Sequence, residues 1–229
     1  LRVNPRQLDE VMHPMLDIDV EKQSEVLVKG LPAGPGGASG QIVFTADDAE
    51  TWHEDGKNVI LVRSETSPED VHGMYAAEAI LTSRGGMTSH AALVARGWGK
   101  CCIVGCSELN ISAENKSLSV NGAILNEGDW LTLNGSSGQV YEGQIPLQDV
   151  NLNDNKFFQQ LMAMADRQRK LGVRTNADSP SDALKALEFG AEGIGLCRTE
   201  HMFFDPDRIS SMREMILAND EGERRRAIM

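Results

Sequence analysis

A histidine follows a glycine-rich loop at the point where an apolar helical segment begins. The loop and the histidine read Arg84-Gly85-Gly86-Met87-Thr88-Ser89-His90. Glycines allow a sharp turn of the backbone, and the first turn of the next helix offers unpaired N–H groups at its positive dipole end. Thr88 or Ser89 can cap this helix, which would place His90 in its first turn, beside donors that suit a phosphoryl group.

The imidazole of His90 could carry such a group. Neutral imidazole is a good nucleophile near neutral pH, and a phosphorylated ring nitrogen remains a labile donor to the next acceptor. A serine ester would hold phosphate too firmly for this role. The alternative is that His90 only caps or packs at a helix start, and the spacing alone does not decide between the two interpretations.

The charge balance restricts the expected partners. The chain has 22 basic and 34 acidic side chains and a formal net charge of −12. This excess argues against general attraction to nucleic acid or to an anionic membrane, so a phosphate site would have to be local. No run approaches the roughly 18 apolar residues of a membrane span, and no secretory signal is evident. We therefore expect a soluble protein with neither nucleic acid nor membrane as a partner.

Cysteines suggest no cross-linked framework. The chain contains four of them, Cys101, Cys102, Cys106 and Cys197. They are too few and too clustered for a set of disulfides, and their spacing is unlike that of zinc ligands. The sequence predicts buried strand thiols in a reducing compartment.

The residues around the loop predict alternating strands and helices. Short apolar runs predict strands at residues 41–44, 58–62, 79–81 and 101–104. Residues 66–70 begin one helix with a proline in its first turn, and residues 91–96 form another that ends at Gly97. Tight hairpin turns are indicated at Asn121-Gly122, Glu127-Gly128 and Asn134-Gly135. A β-rich domain with helices is therefore expected.

A different pattern begins further along the chain. Residues 154–171 carry an apolar stripe at helical spacing, which predicts a linker helix with Gly172 as its stop. Residues 173–176 and 193–196 predict two strands, with a helix between them that begins at Ser179-Pro180 and runs through Phe189. A strand-helix-strand of this brevity implies a parallel α/β unit.

The run from Gly85 to Arg96 resembles the phosphohistidine signature of phosphoenolpyruvate-utilising enzymes over the whole motif. Within that family, Met87 and residues 97–106 are more similar to the pyruvate, phosphate dikinases than to phosphoenolpyruvate synthase or to enzyme I of the sugar phosphotransferase system. Those relatives usually carry arginine at the Met87 position. Residues 65–71 and the glycine-rich stretch near Gly30 also resemble the dikinases.

The resemblance implies an α/β fold with a swivelling β/β/α phosphohistidine domain, a linker helix and the first strand-helix units of a truncated (β/α)8 barrel. It implies four segments: a connector from an ATP-grasp region at residues 1–29, the phosphohistidine domain at 30–145, a linker with its helix at 146–172, and the start of a phosphoenolpyruvate/pyruvate-binding barrel at 173–229. The sequence would then be a fragment of a longer enzyme. Because one histidine would serve two distant sites, hinges are expected near residues 21–29 and 145–153.

The resemblance also implies roles for individual residues. His90 would be phosphorylated at its tele nitrogen, Nε2, in a phosphate loop supported by Gly85, Gly86, Thr88 and Ser89. Arg198 would follow a barrel strand and contact the substrate phosphoryl group, the alternative being a surface or salt-bridged arginine. No metal ligand is expected within the chain.

Thr88 carries a further expectation, because some dikinases are regulated by phosphorylation of the threonine at this motif position. An added dianion would repel the phosphoryl group that arrives at His90. The alternative is that Thr88 is a helix cap and loop hydroxyl.

The implied reaction interconverts ATP, phosphate and pyruvate with AMP, pyrophosphate and phosphoenolpyruvate through a phosphohistidine. Mg²⁺ would serve the full-length enzyme through ligands outside this chain, and a monovalent cation is a further candidate. The expected partners are an ATP-grasp domain, the rest of the barrel, a second subunit of a homodimer, and a regulatory kinase and phosphatase. Cytoplasm, plastid and glycosome stay open as compartments.

Two alternatives remain from the sequence. The chain could belong to another phosphoenolpyruvate phosphotransferase, of the synthase or enzyme I type, or it could be a non-catalytic phosphocarrier or docking module. The second alternative stays open because the chain has a phosphoryl acceptor but no recognisable nucleotide site. The fragment alone is expected not to interconvert pyruvate and phosphoenolpyruvate, because the implied ATP-grasp domain and most of the barrel are missing from it.

Overall fold

The structure is a computed structural model that describes residues 3–4, 8, 12–148, 155–199 and 206–228. It divides into two compact units, the first ending at Asn155 and the second beginning at Lys156. None of the described helices is long and apolar enough to cross a membrane.

The first unit is built mainly from short strands. They are β1 (Met15–Leu16), β2 (Val26–Lys29), β3 (Leu31–Gly34), β4 (Gly37–Val43), β5 (Val59–Arg63), β6 (Ala79–Thr82), β7 (Cys101–Val104), β8 (Asn110–Ser112), β9 (Ser117–Val120), β10 (Ala123–Asn126), β11 (Trp130–Asn134), β12 (Gln139–Glu142) and β13 (Leu147–Gln148). The helices are α1 (Ile18–Gln23), α2 (Ala46–Glu54), α3 (Val71–Ala76) and α4 (His90–Trp98), with a 3-10 turn at Pro68–Asp70. The four strands predicted around the loop correspond to β4, β5, β6 and β7.

Eight strands form the central sheet, in the order β2-β12-β11-β4-β5-β6-β7-β3. Strands β4 to β7 run parallel to one another, and the remaining pairs are antiparallel. Only Gly30 separates β2 from β3, so one continuous segment pairs with both β12 and β7. Both edge strands of the sheet are therefore parts of one segment.

Alternate residues of the central strands enter two apolar clusters, one on each face of the sheet. In β7, Cys101 and Ile103 pack in one cluster, and Cys102 and Val104 pack in the other, against the helices. This alternation follows from the two-residue period of a strand. Strands buried on both faces explain why the sequence showed continuous apolar runs rather than alternation with polar residues.

The prediction of buried thiols is confirmed for Cys101, Cys102 and Cys106, while Cys197 in the second unit is half-buried. Burial raises the pKa of Cys101 and of Cys106 to about 12, and it raises the pKa of Cys102 further. These three thiols therefore stay protonated and unreactive near neutral pH.

The three dipeptides expected to form hairpin turns have different outcomes. Asn121 and Gly122 join β9 to β10 with positive φ angles of 50° and 86°, which confirms a tight hairpin. Asn134 ends β11, but a four-residue loop rather than a two-residue turn leads to β12, and the Asn134 carboxamide accepts the N–H groups of Ser136 and Ser137.

The prediction of a hairpin turn at Glu127-Gly128 is wrong. β10 pairs with β9 in a separate sheet of order β10-β9-β8, whereas β11 pairs with β4. The Gly128 N–H instead donates to the carbonyl of Ile42 at 3.0 Å. Gly128 therefore lies in a connection between two sheets. Local turn chemistry cannot distinguish such a connection from a hairpin.

Helix α4 also ends later than expected. Gly97 lies inside the helix, and Gly99 is the residue that adopts the left-handed conformation, with φ of 65°. An interior glycine costs a helix only about 1 kcal/mol. The Lys100 N–H closes the helix end by donating to the Ala95 carbonyl at 2.9 Å. The C-cap is consequently Gly99 rather than Gly97.

Part of the expected connector belongs to the first unit. β1 pairs with β13, and β2 pairs with β12 through the buried Val28. On α1, the Glu21 carboxylate accepts hydrogen bonds from Asn134 and Tyr141 at 2.6 and 2.8 Å. The described parts of the two expected hinge segments thus contain paired strands. Residues 149–153 of the second hinge segment lie outside the described residues.

The second unit contains α5 (Lys156–Gln168), β14 (Arg174–Asn176), α6 (Pro180–Glu188), β15 (Gly193–Leu196), α7 (Pro206–Leu217) and α8 (Glu221–Ile228). The predicted strand-helix-strand is confirmed, because β14 and β15 pair in parallel on either side of α6 in the sequence. Ser179 caps α6 by accepting the Asp182 N–H at 3.1 Å. Among the described residues of this unit, Ala177 alone is buried.

Candidate functional site

Loops after three neighbouring parallel strands meet at one edge of the central sheet. Residues 64–67 follow β5, residues 83–89 follow β6, and Gly105 follows β7. The carboxyl ends of parallel strands are the usual place for a site in an open α/β sheet, because the connecting loops converge there. The loop that carries His90 is the central one of the three.

Backbone and hydroxyl contacts hold the start of this loop. The Arg84 N–H donates to the Ser64 carbonyl at 2.9 Å, and the hydroxyl of the buried Thr82 donates to the Arg84 carbonyl at 2.6 Å. Gly85 has φ of 100°, and a Cβ there would lie 2.9 Å from the Cβ of Ser89. The loop therefore requires glycine at this position.

The far end of the loop is a helix cap. Ser89 has extended backbone angles, and its hydroxyl accepts the Ala92 N–H at 3.4 Å. His90 is the first residue of α4. Of the two expected caps, Ser89 forms the cap and Thr88 lies exposed in the loop. His90 thus occupies the first helical turn, where backbone N–H groups have no partner within the helix.

The imidazole of His90 is held from one side. Its Nδ1 lies 3.1 Å from the hydroxyl oxygen of Thr66, and the residue is half-buried. A contact at Nδ1 leaves Nε2 as the ring nitrogen available for another bond. The sequence interpretation assigned Thr66 only to a helix start and missed this contact. The signal that could have found it is the position of Thr66 after β5, because β5 and β6 are adjacent parallel strands.

An arginine further along α4 fixes the middle of the loop. The Nη2 of Arg96 donates to the Met87 carbonyl at 2.6 Å, although nine positions separate the two residues. The helix that carries His90 therefore also holds the loop that precedes it. This contact joins residues near the two ends of the motif that runs from Gly85 to Arg96.

Arg198 belongs to the second unit, two positions after β15. Its backbone N–H donates to the Asp178 carboxylate at 2.6 Å, and Asp178 itself follows β14. Both residues thus lie at the carboxyl ends of adjacent parallel strands. This is where the sequence placed Arg198, and Asp178 is a neighbour that the sequence interpretation did not identify.

The described residues do not fit a bound metal ion. In the parts of the chain that the structure describes, no three His, Cys, Asp or Glu side chains cluster as metal ligands would. A hard cation such as Mg²⁺ binds through several oxygen ligands.

Two models of known domains match the chain. Residues 55–138 match the mobile domain of PEP-utilising enzymes, and residues 153–222 match the PEP-binding domain of the same enzymes. The chain is 55% identical over 227 residues to pyruvate, phosphate dikinase 2 of Oryza sativa subsp. japonica. It is 52% identical over 226 residues to pyruvate, phosphate dikinase 1, chloroplastic, of Arabidopsis thaliana.

A bacterial relative is similar to the same degree. The chain is 51% identical over 228 residues to pyruvate, phosphate dikinase of Clostridium symbiosum. These alignments cover 99 to 100% of this chain but only 23 to 26% of the relatives, so the chain spans about a quarter of their length. The chain belongs to the PEP-utilising enzymes, since it joins sequence of their mobile domain to sequence of their PEP-binding domain, and it is similar to one part of the pyruvate, phosphate dikinases.

Proposed function

We propose that the chain carries a phosphoryl group on Nε2 of His90, as the carrier part of an enzyme that interconverts ATP, phosphate and pyruvate with AMP, pyrophosphate and phosphoenolpyruvate. The observation that carries the proposal is the position of the His90 side chain. The ring stands at the start of α4 with Nδ1 against Thr66, which leaves Nε2 available. We infer the reaction from the relatives, which are named pyruvate, phosphate dikinases.

The loading steps make and break one bond at a time. The Nε2 lone pair attacks the β-phosphorus of ATP, the bond from that phosphorus to the α–β bridging oxygen breaks, and AMP leaves. Orthophosphate then takes the outer phosphoryl group and leaves as pyrophosphate. The ring proton stays on Nδ1, and this N–H can donate a hydrogen bond to the hydroxyl oxygen of Thr66.

The unloading step returns the ring to its first state. Pyruvate first loses a methyl proton to a base of the full-length enzyme. The resulting enolate oxygen attacks the remaining phosphorus, the Nε2–P bond breaks, and phosphoenolpyruvate forms. A phosphorylated imidazole suits both directions because it is a labile phosphoryl donor. The first helical turn and its glycine loop supply backbone N–H groups that stabilise a phosphoryl group at this point.

We further propose that Arg198 binds the phosphoryl group of phosphoenolpyruvate. A guanidinium presents a planar fork of donors that matches phosphate, and its charge is permanent. The position after β15 corresponds to the active-site end of a (β/α)8 barrel. The second unit leaves Leu184, Leu187 and Phe189 more than half exposed. These side chains fit a barrel whose remaining strands and helices cover them.

Thr88 is proposed as a regulatory site of this carrier. Its exposure would give a kinase access, and it lies two positions before His90 in a loop whose donors a phosphothreonine would occupy. The competing role of helix cap belongs to Ser89 in this structure.

The overall activity is tested by the products it requires. The full-length protein should convert pyruvate to phosphoenolpyruvate only with ATP and orthophosphate, and it should release one pyrophosphate for each turnover. Turnover that consumes no orthophosphate would instead assign the protein to another type of phosphoenolpyruvate phosphotransferase. The 229-residue chain alone should show no turnover. Measurable turnover by that chain would contradict its assignment as a carrier part.

A further inference from the structure

A buried carboxylate lies beneath the loop that carries Thr66. Asp70 is 6% exposed and is the one buried charged side chain among the described residues. Its Oδ2 accepts the backbone N–H of Ser67 at 2.8 Å and the Ser67 hydroxyl at 3.3 Å. A carboxylate buried this far keeps its position, because a shift would leave the charge without partners.

An arginine holds the other oxygen of this carboxylate. Nη2 of Arg63 lies 3.2 Å from Oδ1 of Asp70, and Nη1 of Arg63 donates to the Phe44 carbonyl at 3.2 Å. Arg63 ends β5, and Phe44 directly follows β4. A buried ion pair adds little net stability, because desolvation offsets the attraction. Its clearest effect here is geometric, since it ties the Ser67 turn to the ends of two strands.

The contacts continue from this pair to the phosphoryl acceptor. Asp70 fixes Ser67, the adjoining Thr66 projects its hydroxyl to within 3.1 Å of Nδ1, and that nitrogen belongs to His90. We propose that Asp70 is a positioning residue for His90, acting through Ser67 and Thr66 so that Nδ1 is covered and Nε2 alone receives the phosphoryl group. This inference deepens the proposed function and rests on it.

The proposal has a chemical signature. Either nitrogen of a free imidazole can form a bond to phosphorus, so the choice of nitrogen reports the Thr66 contact. Without Asp70 the loop is no longer fixed, the hydroxyl leaves Nδ1, and phosphate appears on both nitrogens. A residue that served only overall stability would change the melting temperature without changing this ratio.

The decisive variant is Asp70→Asn in the 229-residue chain. A carboxylate presents acceptors to both Ser67 and Arg63, whereas an amide offers one acceptor and one donor group, so one contact must fail. The chain is treated with phosphoramidate. The Nε2–P bond forms, the P–N bond of the reagent breaks, and ammonia leaves from the zwitterionic reagent, so that the ring proton stays on Nδ1. Phosphorus and nitrogen NMR then give the share of phosphate on each ring nitrogen.

The native chain should carry phosphate on Nε2. In Asp70→Asn we expect the ratio of Nδ1-bound to Nε2-bound phosphate to rise about three- to tenfold above its small native value, which corresponds to the loss of one hydrogen bond. In a Thr66→Val background, Asp70→Asn should add nothing to that ratio, because both changes then act on one contact. Asp47→Asn is the matched control, since Asp47 is exposed and pairs with His72 at 2.9 Å, a contact that involves none of Arg63, Ser67 and Thr66.

Ser67→Ala covers the case in which Asp70→Asn does not fold. It removes the 3.3 Å hydroxyl contact and keeps the contact of the Ser67 backbone N–H with Asp70, so it should shift the share in the same direction by a smaller amount. An unchanged ratio in folded Asp70→Asn, or in Ser67→Ala where the first variant fails to fold, would overturn the inference. Because phosphoramidate needs no partner domain, this outcome is separate from a failure of the full-length protein to label His90 from phosphoenolpyruvate.

Discussion

At the scale of single residues, the proposed phosphoryl transfer depends on which nitrogen of His90 is free. A glycine loop and a helix start place the ring, but they do not distinguish Nδ1 from Nε2. The Thr66 hydroxyl makes that distinction, 24 positions away in the sequence. The tele nitrogen named from the family resemblance is thus supported by a contact that no local motif contains.

Removing the Thr66 hydroxyl should slow the loading of His90. Thr66→Val keeps the shape of the side chain and loses one hydrogen bond worth about 0.5 to 1.5 kcal/mol, so we expect a two- to tenfold slower rate, roughly. Thr66→Ser keeps a hydroxyl and should stay close to the native rate. Rapid-quench labelling of the full-length protein with phosphoenolpyruvate measures both. Equal loading rates in the two variants would show that the Thr66 hydroxyl does not assist the loading of His90.

A negative charge at position 88 should inhibit turnover. Thr88→Glu in the full-length protein places a negative charge two positions before His90, where it repels the arriving phosphoryl group. We expect turnover to fall about tenfold or more, whereas Thr88→Ser should leave it nearly unchanged. Normal turnover in Thr88→Glu, measured as pyrophosphate release, would argue against inhibition through the Thr88 loop.

At the scale of elements, three loops support one another at the edge of the sheet. Gly105, after β7, has φ of 69°, and a Cβ there would lie 2.8 Å from the Gly85 carbonyl oxygen. The loop that carries His90 is therefore packed against the loop after the neighbouring strand. This makes the glycine after β7 part of the support of His90.

Gly105→Ala should affect both stability and labelling. The left-handed backbone and the contact with Gly85 together cost about 2 kcal/mol. Gly143 is a matched control, because its φ is 84° and a Cβ there would meet nothing within 4 Å. Gly143→Ala should cost only about 1 kcal/mol and leave His90 labelling unchanged. Urea unfolding and labelling kinetics check the pair, and equal labelling in both variants would contradict the packing argument.

Most elements near the site could be predicted from the sequence. Buried parallel strands leave apolar runs, and Ser89 and Ser179 are caps that local chemistry favours. What could not be predicted are choices set by distant partners. Gly128 bonds to Ile42, Gly99 rather than Gly97 ends α4, and Thr66 finds His90 only after β5 and β6 have paired.

At the scale of the whole molecule, the two ends of the first unit are tied together. Met15 pairs with Gln148, Leu16 pairs with Leu147, and the Asp17 N–H donates to the Pro146 carbonyl at 2.9 Å. A carrier that turns as a body should keep these pairs throughout its movement. The turning points would then lie before β1 and after β13, rather than within residues 21–29.

Cross-linking tests this arrangement. Met15→Cys combined with Gln148→Cys places thiols at paired positions of β1 and β13. The oxidised full-length protein should retain turnover within about twofold of the reduced protein, because a pair that never separates during turning loses nothing when it is locked. Loss of activity on oxidation that reduction restores would show that the two strands separate during the cycle.

The most direct test of the central claim is to find where the phosphoryl group resides. We expect the full-length protein, incubated with labelled phosphoenolpyruvate, to carry acid-labile and base-stable phosphate on the peptide that contains His90, bound at Nε2. His90→Ala should carry no label and should not turn over. Label on another residue, or undiminished activity in His90→Ala, would contradict the account.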